Sequence, residues 1–144
     1  MTDYLIKAAG AWFVGFFPLA EIYVAIPAAV AAGLDNVSVI VWTVFGNFTP
    51  VLLINFLYEW LIRYERVRKW LEGLVSEKVK ARINRWGTWF VLLVTPWTGV
   101  WVMSVTAKAL GMNSQRFLVA SFISILVYAI VLLLMLRLGI ASFG

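Results

Sequence analysis

The sequence predicts an all-α integral membrane protein: an inverted repeat in which each half is a re-entrant helical hairpin followed by a transmembrane helix, the halves joined by an amphipathic cytoplasmic helix. Three observations carry this. The 144 residues are 63% hydrophobic and 13% charged, with a mean hydropathy of +0.92, whereas soluble domains are about 45–50% apolar and about 25% charged. The apolar runs are long enough for the ~20 residues that cross ~30 Å of hydrocarbon. Prolines interrupt those runs at matching places in the two halves. One membrane domain over residues 1–144 is expected. The N-terminal run passes through Pro18 into Glu21 without a short apolar region and a small-residue cleavage site, so it reads as mature structure.

Residues 4–33 are mostly apolar and are interrupted at Gly10, Gly15, Pro18 and Pro27. A straight helix of that length would run about 45 Å, long for one span and short for two. Pro18 suits the first turn of a new helix, where its missing N–H is no loss, so the spacing predicts a helix, a break at Phe17-Pro18 and a second short helix. Gly33-Leu34-Asp35-Asn36 then stops the hairpin and turns the chain. Residues 37–61 can span, with Gly46, Asn47, Pro50 and Asn55 inside and a kink expected near Pro50.

In residues 63–85, eight Lys and Arg stand against Glu65, Glu72 and Glu77, which accounts for the whole net charge of +5. Val67, Trp70, Leu71, Leu74, Val75 and Val79 share one helical face there. The segment reads as one interfacial helix, cytoplasmic by its positive charge, with anionic lipid headgroups as partners and nucleic acid excluded by the flanking spans. Residues 86–112 form a second interrupted apolar run. The run is broken at Thr95-Pro96-Trp97-Thr98-Gly99, where Thr95 as N-cap and Pro96 as first helical residue predict a half-helix beginning. Residues 117–136 make a clean span, with Ser121 and Ser124 as small polar exceptions.

Sliding the chain on itself by 78 residues sets Pro18 on Pro96, Val24 on Val102, Ala29 on Ala107, Ala31 on Ala109, Gly33 on Gly111 and Val41 on Val119. The order of hairpin, glycine turn and span repeats with the same lengths, over about 4–61 and about 86–138. Two topologies fit. A re-entrant hairpin plus one span per unit inverts the second unit; two full spans per unit give a parallel four-helix bundle. Loop charge does not separate them, and the prolines favour inversion.

Glu21, Ile26, Pro27, Ala31, Gly33 and Leu34, then Gly46, Asn47 and Pro50, a charged connector, and Pro96, Thr98 and Gly99 before Ala109-Leu110-Gly111 form a pattern over nearly the whole chain. It resembles the putative small multidrug export proteins, which look like a compact branch of the DedA, or VTT, superfamily. The resemblance implies two re-entrant hairpins in an inverted repeat, and flipping or translocation of phospholipids or lipid-linked phosphates, with proton coupling. Glu21 matches the acidic residue of the first hairpin. Where larger DedA proteins carry an arginine in the second hairpin, this chain has Trp97, Thr98 and Gly99.

An ionisable group at membrane depth marks a functional site by default. Glu21 is either a proton- or cation-exchanging carboxylate or one held by helix N-terminal N–H groups. Asn47, with Thr49 and Asn55, lines a polar path or hydrogen-bonds between helices. Half-helix N-termini at Pro18 and Pro96 offer N–H groups to an anionic headgroup, or Thr95 and Thr98 cap them. Trp97 and Trp101 flank an acyl chain or pack, and Lys108 snorkels. The substrate- or ion-binding candidates are thus Glu21, Asn47, Thr95, Trp97 and Thr98, with Pro18, Pro27, Pro50, Pro96 and Gly99 as structural breaks. With no histidine, no cysteine and one deep carboxylate, neither catalytic residues nor a metal site or cofactor is expected. Three functions remain: a DedA-like lipid transporter of the plasma membrane, a proton-coupled multidrug exporter, and a scaffold without transport. A homodimer is expected, since one short chain encloses little volume.

Overall fold

A computed structural model describes residues 1–18 and 21–143, with the side chains of Glu21, Pro96, Trp97 and residues 140–143 outside the description. Among the described residues the chain is all helix: α1 (Thr2–Phe16), α2 (Glu21–Ala31), α3 (Asn36–Leu61), α4 (Glu65–Leu74), α5 (Glu77–Trp86), α6 (Thr88–Thr98), α7 (Val100–Ala109) and α8 (Ser114–Phe143). Two of these, α3 and α8, are long and apolar enough to cross a bilayer. The chain divides into two compact units, residues 1–47 with 125–144 and residues 48–124. The division cuts both long helices rather than the connector.

In the first unit, α1 and α2 fold back on each other. Ile22, Ala25, Ile26 and Ala29, spaced for one face of α2, are buried, as are the small Ala8, Ala11 and Gly15 of α1. Small residues let helix backbones approach closely. A side chain at Gly46 would strike the backbone carbonyl of Trp12, and one at Gly15 would lie 2.7 Å from the carbonyl of Thr43. Tyr4 shares a 2.9 Å hydrogen bond with Ser38, while the rings of Trp12 and Phe45 lie tilted with centroids 6.3 Å apart. Pairing therefore advances along both helices together, so α1 runs parallel to α3. α1 ends at Phe16 alongside the middle of α3. The last helical residues of α8 return to the start of α3, where Arg137 Nε donates to Asn36 Oδ1 at 2.9 Å.

The second unit repeats much of this. α6 and α7 form a hairpin, and α6 and the first turns of α8 border a shared groove lined by Thr88, Leu92, Arg116 and Ile123. Phe48 of α3 meets Phe122 of α8 edge to face, ring centroids 5.2 Å apart. Within the second unit, where Phe48 meets Phe122 and Asn55 shares a pocket lining with Phe117, α3 and α8 run antiparallel.

The 78-residue offset reappears in hydrogen bonds. Leu34 N–H donates to Ala29 and Gly33 N–H to Val30, closing α2 with Gly33 at φ 90°. Met112 N–H donates to Ala107 and Gly111 N–H to Lys108, closing α7 with Gly111 at φ 69°. Asp35 then caps α3 by accepting from Ser38 N–H at 3.0 Å, and Asn113 caps α8 by accepting from Arg116 N–H at 3.1 Å. Within the spans, Thr43 bonds back to Val39 and Ser121 to Phe117.

Three expectations are corrected. The connector is two helices, because Ser76 caps α5, its hydroxyl accepting from Val79 N–H at 3.3 Å. Its apolar face packs on the second hairpin: Leu71, Val79 and Ile83 are buried, and Trp70 meets Trp101 edge to face at 5.2 Å. Within the expected break the second hairpin turns at Gly99, and its second helix starts at Val100, not at Pro96. Gly99 adopts φ 99° and ψ 134°, which an L-residue avoids, whereas Pro96 is tolerated in the last turn of α6. Finally, Pro27 and Pro50 stand inside α2 and α3, which continue through them.

Candidate functional site

The first hairpin turns after Phe16, with Phe17 extended at φ −66°, ψ 130°, and α2 opens at Glu21. Sequence spacing put Glu21 three residues beyond a helix start at Pro18; here it is the first described residue of α2, where backbone N–H groups lack intrahelical partners and favour negative charge. Its side chain lies outside the description.

Asn47 is fully buried in α3. Its Nδ2 donates to the carbonyl of Gly15 at 3.0 Å. That carbonyl belongs to the last turn of α1, whose acceptors have no donor within their own helix, so Asn47 fastens the end of α1 against the middle of α3. Pro50 has no N–H to give to the carbonyl of Gly46. An acceptor in α3 is thereby deprived of its helical donor one residue from Asn47. The turn of the first hairpin thus has beside it the backbone start of α2, a buried amide and backbone carbonyls released by proline and by the end of α1. Carbonyls of that kind can accept from a donor or hold a cation.

At the second break, Thr95 is buried and its hydroxyl donates to the Val91 carbonyl within α6. It is therefore not an N-cap. Thr95 also accepts the Gly99 N–H on its carbonyl, at 2.9 Å. Thr98 is half-buried at the end of α6, and the side chain of Trp97 lies outside the description. Asn47 and Glu21 belong to the first unit, Thr95, Trp97 and Thr98 to the second.

Tyr23 and Ser104 escaped the sequence reading, and the contacts of Ser124 and Lys108 did too. Tyr23, two residues beyond Glu21, has a buried hydroxyl; a lone phenol in an aliphatic half-helix was the available signal. Ser104 and Ser124 hydroxyls are buried without a hydrogen-bond partner among the described residues, a state that costs ~1–3 kcal/mol each. Lys108 does not merely snorkel: its ammonium donates to the backbone carbonyl of Asn55 at 3.3 Å, next to Ser104. Outside the spans, the Ser38 hydroxyl and N–H both donate to Asp35 and hold its carboxyl below the usual carboxylate range.

No curated protein and no solved structure matches the chain. A family described as "Putative small multi-drug export protein" matches residues 21–131, from the first residue of α2 well into α8. With α3 and α8 long enough to cross a bilayer, and a match over most of its length, the chain belongs to that family of membrane proteins.

Proposed function

We propose that the protein is a membrane transporter of DedA-like type, which carries lipid or lipid-linked phosphate across the bilayer and exchanges a proton at Glu21. The observation that carries this reading is the end of α1 fixed by Asn47 to the middle of α3. A hairpin that turns level with the midpoint of a spanning helix dips halfway and returns. Irregular backbone at that depth persists where protein or a water-filled cavity covers it. The antiparallel course of α3 and α8 supports inversion, since two full spans in each half would make them parallel. The matching hydrogen bonds at an offset of 78 residues support an internal repeat. Broken helices in inverted repeats are the usual frame of midplane transport sites.

On this reading the connector is cytoplasmic and the protein sits in the plasma membrane as a homodimer without enzymatic activity. Vesicles containing the full chain translocate labelled phospholipid or polyprenyl phosphate faster than empty vesicles. An equal rate in the two would refute the lipid reading. The family description favours a second reading, proton-coupled export of small cations through the same carboxylate. It predicts proton-linked cation uptake that Glu21→Gln abolishes, and uptake unchanged by that substitution would remove it.

A further inference from the structure

The second unit carries a two-part surface along the seam of α6 and α8. One part is an apolar groove of about 380 Å³ with Leu92, Val119, Ala120 and Ile123 along it. The other is a more polar pocket of about 230 Å³ that includes Asn84 and Asn113. Thr88 and Arg116 line both, so the two adjoin. The polar end lies where α5 ends and α6 and α8 begin. The exposed Trp86 and Trp89 stand at that same end of α6, and exposed tryptophans mark headgroup depth. The apolar part therefore continues toward the hydrocarbon.

Arg116 is exposed at the first turn of α8 and makes no ion pair among the described residues. Its charge is unlike what a helix N-terminus favours, so the position gains from an anion. We propose that this surface binds one anionic phospholipid, its phosphate on Arg116, Thr88 and Asn113 and one acyl chain in the groove. The occupant follows from charge and shape together. A cation at the mouth of an apolar channel at headgroup depth matches an anion joined to an alkyl chain. A soluble anion would leave the groove empty, and an apolar helix from another copy would leave Arg116 unpaired. The site uses no residue of the hairpin turn at Glu21 and stands whether or not the protein moves lipid.

Native mass spectrometry of the full chain in nonionic detergent, titrated with phosphatidylglycerol and with phosphatidylcholine of the same acyl chains, tests this. The expected result is one phosphatidylglycerol held about tenfold more tightly than phosphatidylcholine, the scale of a single charge-assisted contact. Arg116→Gln brings the two lipids level and Arg116→Lys restores most of the preference. Val119→Trp, at an exposed position in the groove, weakens both lipids. Arg66→Gln, an exposed cation on the connector, leaves the preference intact. Elution volume and helical circular dichroism of each variant check its fold. A preference that survives Arg116→Gln, or that Arg66→Gln removes equally well, would overturn the site in favour of diffuse attraction. Cross-linking of Val119→Cys to a second copy at the expense of lipid would overturn it in favour of a dimer contact.

Discussion

Asn47, Gly46 and Gly15 do at the level of single residues what the first hairpin needs. The sequence marked Asn47 as polar in an apolar span but left open whether it served a path or a helix contact. Its bond to Gly15 shows the contact, which no spacing rule could give because the partner is a backbone carbonyl exposed by a break 32 residues away. Asn47→Ala should lower stability by ~1–3 kcal/mol, the range for a buried acceptor left unpaired, measured by thermal unfolding in detergent. Gly46→Ala should cost ~1–3 kcal/mol by overpacking against the Trp12 backbone. A wild-type melting curve for either would detach the hairpin from α3. Asp35 gives a pH test. Its carboxyl is held low in the fold by Ser38, so its contribution is complete above the ordinary value of about 3.9 and is lost as pH falls through the lowered one. The gap in melting temperature between wild type and Asp35→Ala should therefore be open at pH 6 and should close at the acid end. A gap independent of pH would mean the carboxylate is not the cap.

Among the elements, the spans, the turn at Gly33 and the turn at Gly111 were legible, because their length, hydropathy and glycine positions are local properties. The start of the second half-helix was set at Pro96 because Thr95-Pro96 offers a good local helix start, yet Thr95 finds its acceptor one turn back in α6. The chain breaks instead where only glycine accepts φ 99°. Gly99→Ala should accordingly cost ~1–3 kcal/mol in backbone strain, read as a lowered melting temperature. The connector was read as one lipid-facing helix since its apolar residues keep helical spacing across Val75-Ser76. What spacing omits is that the Ser76 N–H reaches Thr106 Oγ1 at 3.2 Å and turns the segment onto α7. Ser76→Ala removes the α5 cap and should loosen that segment, seen as faster amide exchange over residues 77–86 than in wild type. Equal protection would show the cap to be dispensable.

For the whole molecule, the 78-residue offset was visible as scattered identities and recurs in the hydrogen bonds of two turns. Gly33 with Asp35, and Gly111 with Asn113, end one helix and start the next by the same contacts 78 residues apart. Identity was sparse because the capping chemistry accepts either Asp or Asn, and because the intervening turns constrain backbone rather than side chains. Inversion is the step on which the transport proposal rests, and those two equivalent turns report it directly. The chain has no cysteine of its own, so single cysteines at Asn36 and at Ser114 can be labelled with a membrane-impermeant maleimide in sealed cells and in inside-out vesicles. The proposed inversion predicts Asn36→Cys outside and Ser114→Cys in the cytoplasm, each reacting from one side only and from opposite sides. Labelling of both from the same side would contradict the account and leave a bundle of four full spans.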